Sequence, residues 1–151
     1  MEKPRLPISG ACRCGAVGIE ISAPPIMTAA CHCRGCQRMS SSAFSLTMMV
    51  PPSAFRVTKG EPVKGGIKGP QLDHYCCPSC MSWMFTRITG IDDFVNVRPT
   101  MFDDMPWSTP FIETMTVDKL PWVETPARHR YERFPPVEAF PQLLEEFAST
   151  L

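Results

Sequence analysis

Cysteines are the residues of this sequence whose number and spacing most clearly indicate chemistry. There are eight, and seven of them stand in three tight clusters. The clusters are Cys12-Arg13-Cys14, residues 31–36 (CHCRGC) and Cys77-Pro78-Ser79-Cys80. A metal ion needs several sulfurs at ~2.3 Å from one point, and closely spaced cysteines meet that need. A disulfide scaffold does not require such clustering, and thiols stay reduced inside the cell. The spacing therefore favours metal binding over disulfides.

The first and last clusters are predicted to form one closed four-sulfur zinc site. Cys12 and Cys14 share a face if their segment is an extended strand, because side chains at i and i+2 point the same way. Cys77 and Cys80 flank a tight turn and offer two more thiolates. Four thiolates leave zinc no open position, so we expect a structural site whose binding energy is folding energy. Cys76 is expected to stay unliganded, as a small buried thiol.

The middle cluster, Cys31, Cys33 and Cys36, supplies three thiolates and no obvious fourth ligand. Three protein ligands and an open position are typical of a catalytic zinc. His32 is expected to point away from its two neighbours if the segment is extended, so it is not counted as a ligand. Cys76 could close the site after folding, which would make the metal inert. Zinc is preferred to iron–sulfur or copper, although thiolates suit all three.

The elements that must position these clusters are predicted to be short β-strands. Apolar or alternating runs bounded by turn residues predict strands at residues 16–22, 44–50, 55–58, 83–88, 94–97 and 111–117. Turns are predicted at Asp92-Asp93 and Asp103-Asp104, and residues 60–70 are predicted to be a loop. Residues 1–10 show no periodicity.

Only the C-terminal end has a helical pattern, because Phe140, Leu143, Leu144 and Phe147 recur at i, i+3, i+4 and i+7. The predicted fold is therefore mainly β, a zinc-stapled antiparallel β-sheet domain with a short C-terminal helix. We expect one domain over residues 1–151. Its zinc-binding β core spans residues 8–122, and its C-terminal tail and helix span residues 123–151.

Length and charge exclude several classes of protein. The 151 residues suit one domain, and 15 basic against 15 acidic residues give no net charge, which speaks against a nucleic-acid binder. No apolar run approaches the ~20 residues that span a bilayer. The N-terminus lacks the apolar core of a signal peptide, so we expect a cytoplasmic protein without a membrane partner.

The charge is distributed unevenly along the chain. Residues 31–70 carry a net charge of +5 and residues 91–125 a net charge of −5. We expect these charges to be paired or solvated, since surface ion pairs contribute little free energy. The alternative is an anion-attracting rim beside the middle cysteine cluster.

The three cysteine motifs, in this order and spacing, resemble the glutathione-dependent formaldehyde-activating enzyme family, which also includes centromere protein V. The similarity runs from residues 10–15 (GACRCG) through residues 31–44 to residues 119–122 (KLPW). The resemblance implies a β-rich fold with two zinc ions. The structural zinc is bound by Cys12, Cys14, Cys77 and Cys80, and the catalytic zinc by the middle cluster. The family usually has glycine where Ser42 and Met81 stand. A serine at position 42 is expected to narrow the substrate pocket, and Met81 to adjust the zinc turn.

The resemblance implies a zinc-dependent enzyme of the carbon–sulfur lyase type that joins glutathione and formaldehyde into S-hydroxymethylglutathione. The reaction needs a thiolate nucleophile and a polarised aldehyde held together, and a zinc with an open position serves both needs. Two zinc ions per chain are expected, with Arg34 and Arg38 as contacts to the carboxylates of the thiol. No general acid or base is assigned. The alternative is a non-catalytic zinc-stapled interaction module, although this chain lacks the basic extension that would favour it.

The remaining histidines and the tryptophans are expected to have structural roles. His74 is predicted to lie on a strand, and His129 has no visible partner in the sequence. Trp83, Trp107 and Trp122 are predicted to line the core or a pocket wall.

Overall fold

The computed structural model describes residues 4–66 and 71–151 of the chain. Within these ranges the fold is mainly β, as predicted, with eleven short strands and two α-helices. The strands are β1 (Ile8–Ala11), β2 (Gly18–Ile21), β3 (Met27–Cys31), β4 (Ser45–Val50), β5 (Phe55–Lys59), β6 (Val63–Gly65), β7 (Leu72–Cys76), β8 (Trp83–Ile88), β9 (Ile91–Val97), β10 (Ile112–Thr114) and β11 (His129–Arg130). The helices are α1 (Arg34–Ser40) and α2 (Phe140–Ala148). The elements are short because the 17 prolines repeatedly remove a backbone donor.

The strands form two sheets. One has three strands in the order β1-β2-β5, and the other has eight in the order β11-β10-β3-β4-β9-β8-β7-β6. The pairings are antiparallel, except that β10 runs parallel to both β3 and β11. Strand β3 ends at Cys31 and lies between β10 and β4, so the middle cysteine cluster begins inside the large sheet.

Two apolar cores hold the fold together. The larger joins the two sheets, and in it Ile19 and Ile21 of β2 pack with Met48 and Val50 of β4. The smaller lies under α2 and contains Leu143 and Phe147 with residues of β3, β4 and β10. The predicted C-terminal helix is confirmed, and it buries the apolar stripe that the sequence pattern indicated.

Several local predictions were wrong. Helix α1 begins inside the middle cysteine cluster and contains Cys36, although the sequence indicated no helix there. It spans seven residues and buries none of them fully, so it leaves no apolar periodicity to detect. Strand β1 lies inside the segment predicted to be irregular, and β6 lies inside the predicted loop. Residues 67–70 of that loop lie outside the described residues.

The predicted turn at Asp92-Asp93 was also wrong, because both residues belong to β9. The chain reverses one step earlier, at Gly90, whose φ of +83° lies in the left-handed region that glycine adopts without steric cost. The two exposed aspartates therefore begin the strand instead of forming the turn. No helix among the described residues is long and apolar enough to cross a membrane.

Candidate metal centres

Two turns bring four thiols together. Cys12 and Cys14 lie in the turn after β1, and Cys77 and Cys80 lie in the turn between β7 and β8. Their four Sγ atoms all lie within 4.8 Å of one another. The Sγ–Sγ distances from Cys14 to Cys12 and to Cys77 are both 3.7 Å. A tetrahedral zinc with ~2.3 Å bonds separates its sulfurs by ~3.8 Å, so the spacing and the donor type fit one such ion.

The first of these turns differs from the extended strand expected for Cys12 and Cys14. Strand β1 ends at Ala11, and the N–H of Gly15 donates to the carbonyl of Cys12 over 3.0 Å. Gly15 has a φ of +79°, which glycine adopts readily and other residues rarely do. The two sulfurs therefore converge because the chain folds back, and not because they share one face of a strand.

The second turn is shaped by Met81 and Ser82. The N–H of Met81 donates to the carbonyl of Cys77 over 3.0 Å, and Met81 has a φ of +58°. This left-handed backbone gives the physical reason for the glycine that the family resemblance leads one to expect here. Ser82 Oγ lies 3.2 Å from Cys80 Sγ, and this contact is the main cause that lowers the pKa of Cys80 to about 5. The turn therefore favours a thiolate at Cys80.

Strand β3 and the start of α1 bring the other three thiols together. Cys31 ends β3, Cys33 caps the N-terminus of α1, and Cys36 lies in its first turn. Their sulfurs lie within 4.8 Å of one another, and the N–H of Cys36 donates to Cys33 Sγ over 3.2 Å. Contact with Cys36 lowers the pKa of the Cys31 thiol to about 5, and the same contact raises the pKa of Cys36.

Three sulfurs of this kind fit a tetrahedral metal that keeps one position for an outside ligand. Within residues 4–66 and 71–151, no further His, Cys, Asp or Glu joins the set. His32 turns away, is fully buried, and places its Nε2 atom 3.1 Å from Glu113 Oε1. Cys76 is buried at the end of β7, outside both clusters, and burial raises its pKa. The two residues that could have completed the set therefore do not belong to it.

Glu113 anchors the C-terminal tail beside this cluster. Its carboxylate is fully buried and accepts hydrogen bonds from Thr125 Oγ1 at 2.6 Å, Lys119 Nζ at 3.0 Å and Arg130 Nε at 3.0 Å, besides the contact with His32. Burial raises the pKa of Glu113, but the contacts with Thr125, Lys119 and His32 together lower it by more. The net shift of this pKa is therefore downward. The sequence reasoning missed this residue, although an acidic side chain in the apolar run at 111–117 was a detectable signal.

A cavity of about 470 Å³, within the size range of small-molecule sites, ~300–1,000 Å³, is lined by neighbours of both cysteine clusters. Ser45 is the cross-strand partner of Cys31, and Ser82 Oγ lies 3.2 Å from Cys80 Sγ. Residues 39–42 line it from the end of α1, and Ser45 and Leu46 line it from β4. Trp83, Arg98 and Arg13 complete the wall on the other sides. Through Ser45, the cavity and the three-thiol cluster share one region of the sheet.

Arg98 is the charged side chain buried in this wall, and only 7% of its surface is exposed. Its Nη1 donates to the Leu46 carbonyl at 2.9 Å and to Thr47 Oγ1 at 2.6 Å, and its guanidinium lies 3.7 Å from the centroid of the Trp83 ring. None of the carboxylates in the described part of the chain lies within 4.0 Å of it. The expectation that the charges of residues 91–125 are paired or solvated is therefore wrong for Arg98.

Arg98 stays charged at neutral pH. Burial lowers its pKa to about 10, and negative charge at Cys36 and Cys31 acts in the opposite direction. The guanidinium is therefore close enough to the three-thiol cluster for its positive charge to interact with Cys36 and Cys31. Sequence reasoning missed this role, because an arginine between a strand and a proline is typical of an ordinary surface position.

Arg34 and Arg38 lie exposed on α1 and are not among the residues that line the cavity. Their assignment as carboxylate contacts stays a prediction, since they stand next to the cysteines on the outer face of the helix. Ser42 does line the cavity, where a side chain in place of glycine takes up space. Part of the basic stretch is paired, because Lys64 Nζ lies 3.2 Å from Asp73 Oδ2 and Arg56 Nε lies 2.9 Å from Glu20 Oε1.

Two further predictions, those for His129 and Trp122, were wrong. His74 lies on β7 as predicted, with Nδ1 2.9 Å from Thr86 Oγ1. His129 does have a partner, because its Nε2 lies 2.9 Å from Glu146 Oε2 on α2. Trp122 is 75% exposed and lines neither the core nor the cavity, whereas Trp83 lines the cavity and Trp107 packs against the larger core.

Comparison with known proteins identifies the family and the fold. Residues 7–118 match the family model described as glutathione-dependent formaldehyde-activating enzyme. The crystal structure of a Rhodobacter sphaeroides protein, a structural genomics target, has the same fold with a TM-score of 0.54. Its sequence is 18% identical, and the match covers 82% of this chain and 99% of that chain. At this identity the likeness shows the fold alone. None of the curated proteins compared matches the chain.

Proposed function

The chain belongs to the glutathione-dependent formaldehyde-activating enzyme family, and from that premise we propose that it is a zinc-dependent carbon–sulfur lyase. Its reaction is the reversible joining of glutathione and formaldehyde into S-hydroxymethylglutathione, in the reducing cytoplasm where free thiols persist. The observation that carries the proposal is the three-thiol cluster near the 470 Å³ cavity, in a chain whose other metal-binding cluster has a complete set of four thiols.

The two clusters have different roles in this proposal. Cys12, Cys14, Cys77 and Cys80 hold a structural zinc that ties the turn after β1 to the turn between β7 and β8. Cys31, Cys33 and Cys36 hold the second zinc and leave a position for the substrate thiol. Bound there, zinc supplies a positive centre that favours the thiolate form of a thiol and polarises a carbonyl.

The residues of the chain supply the rest of the site. The cavity gives the substrate space near the three-thiol cluster, and the buried Arg98 in its wall contributes a fixed positive charge. Three thiolates outweigh the charge of one zinc ion, so the thiolate of the substrate brings the local charge to two negative units. The buried guanidinium offsets part of that charge, and Arg34 and Arg38 hold the carboxylates of glutathione at the outer edge.

The test is the rate of exchange between formaldehyde, glutathione and their adduct, followed by NMR with and without the protein. Cys36→Ala should abolish the acceleration, because it removes one ligand of the second zinc. Cys76→Ala is the matched control, since it removes a cysteine that belongs to neither cluster, and it should keep the acceleration. If wild-type protein leaves the exchange rate unchanged and calorimetry detects no glutathione binding, the proposal fails and the interaction module becomes the better hypothesis.

A further inference from the structure

Two buried side chains in the cavity wall each have one polar atom that makes no hydrogen bond within the described part of the chain. They are Arg98, through its Nε atom, and Ser45, through its Oγ atom. Ser45 is only 3% exposed, and both residues line the same cavity. A buried donor without a partner costs about 1–3 kcal/mol, so two of them in the wall of one cavity indicate a site that a ligand completes.

The hydrogen bonds that Arg98 makes show which edge of its guanidinium is free. A guanidinium carries five N–H donors, of which Nη1 uses two on Leu46 and Thr47. Nη2 donates one to Thr86 Oγ1 over 3.3 Å. Its second N–H and the N–H of Nε remain, and donors on these two nitrogens suit an oxygen atom that carries negative charge.

The guanidinium is also held rigidly in place. Thr86 Oγ1 accepts from Trp83 Nε1 at 2.9 Å and from Arg98, which fills both acceptor positions of the hydroxyl. Its own proton therefore goes to His74 Nδ1, 2.9 Å away. With the Trp83 ring beneath the guanidinium, Arg98 is fixed before any ligand arrives. Such preorganisation is what stabilises charge that develops during a reaction.

The sheet register sets the position of this pair relative to the thiols. Ser45 is the partner of Cys31 across the β3–β4 pairing, so their side chains project from the same face of the sheet as close neighbours. Thr47 stands two residues further along the same face and accepts from Arg98. An atom that meets Ser45 is therefore close to the sulfurs of the cluster, whereas the carboxylates of a tripeptide thiol lie many bonds from its sulfur.

We propose that Ser45 and Arg98 bind the oxygen atom of the aldehyde-derived carbon, so that they form the second half of the reaction site. This inference rests on the proposed function. In the forward direction the thiol releases its proton to solvent, and the thiolate sulfur forms a bond to the aldehyde carbon. The carbon–oxygen π bond breaks, its electron pair stays on oxygen, and Ser45 and Arg98 donate hydrogen bonds to that oxygen. The oxygen then takes a proton from solvent and gives the hydroxymethyl thioether.

The experiment compares the binding of two stable thioethers by calorimetry. S-carboxymethylglutathione carries two oxygen atoms on the second carbon from sulfur, and S-propylglutathione has a substituent of the same length without them. Wild-type protein should bind the carboxymethyl compound at least tenfold more tightly, as one or two charge-assisted hydrogen bonds imply. Ser45→Ala should reduce that ratio severalfold, and Arg98→Lys should reduce it further because lysine lacks the planar set of donors.

Two choices keep the test independent of folding. Ser45 Oγ makes no hydrogen bond within the described chain, so Ser45→Ala should fold even if the Arg98 variant does not. Ser9→Ala is the control, since Ser9 is an exposed strand serine outside the cavity, and it should keep the wild-type ratio. Equal binding of both thioethers by wild-type protein, or an unchanged ratio in Ser45→Ala and Arg98→Lys, overturns the inference while glutathione binding stands. If glutathione binds and neither thioether does, the inference alone is overturned. If glutathione itself also fails to bind, the proposed function fails, and the inference with it.

Discussion

Removing one cysteine from each cluster should have very different consequences. Cys80→Ala takes one ligand from the four-thiol site, which joins segments 63 residues apart at the Cys14–Cys77 contact and ties the small sheet to the large one. Structural zinc contributes about 10–16 kcal/mol in small zinc-dependent folds. Even half of that equals the total stability of a marginal domain, which lies at about 5–15 kcal/mol. We therefore expect Cys80→Ala to be unfolded or insoluble.

Cys36→Ala should remain folded by the same reasoning. Cys36 lies on α1, which buries none of its residues fully and stands outside both apolar cores. Losing the second zinc should cost about 1–2 kcal/mol, or roughly 3–6 °C in melting temperature for a chain of this length, and the backbone N–H of the substituted residue can still donate to Cys33 Sγ. The assay is soluble yield, circular dichroism melting and zinc content of both variants, with Cys76→Ala as the control. Equal unfolding of Cys36→Ala and Cys80→Ala would refute the division into structural and catalytic sites.

Three further predictions concern the surroundings of the two clusters. Glu113→Gln should lower the free energy of unfolding by about 3 kcal/mol, because it breaks a buried charge network. The pKa of Glu113 is lowered from 4.5, so its stabilising effect is full above that pH and is lost as the pH falls through the lower folded pKa. The difference in melting temperature between wild type and the variant should therefore be smaller at pH 3 than at pH 7, and equal differences at both would contradict the assignment. Glutathione binding should weaken as the salt concentration rises, because exposed charges are screened over ~8 Å at physiological ionic strength. The double variant Arg34→Ala, Arg38→Ala should lose most of this salt dependence. A salt slope unchanged in the double variant would show that these arginines do not contact the ligand. Met81→Gly should raise the free energy of unfolding by up to about 1 kcal/mol, since its left-handed φ of +58° strains any residue with a Cβ. A lower melting temperature in this variant would contradict that account of the turn.

Local patterns predicted much of the strand content correctly. Apolar runs located β4, β5 and β8 almost to the residue, and the i, i+3, i+4, i+7 pattern located α2. These patterns work where an element buries apolar side chains, as β4 and β8 do in the larger core and α2 does in the smaller one. The cysteine spacing also indicated which thiols would meet, since two close pairs need only two turns to converge.

The remaining features depend on contacts that no local pattern contains. Arg98 is buried because β9 lies between β4 and β8 in the large sheet, and that order is set by pairing across the whole chain. Helix α1 is too short and too exposed to produce a period. The partner of His129 lies on α2, 17 residues away, and only the packing of the tail brings the two together. The turn at Gly90 was visible as a glycine, but the two aspartates after it gave a stronger false signal.

The most direct test of the central claim is native mass spectrometry of the protein during graded chelation, with glutathione present. The claim is that one cluster is closed and structural and the other is open and binds the thiol. It predicts two zinc ions in freshly purified protein, of which one is lost first while the chain keeps the narrow charge distribution of a folded protein. The glutathione adduct should disappear together with that first ion. A single zinc at the start, loss of both ions together with unfolding, or a glutathione adduct that persists on the one-zinc species would contradict the account.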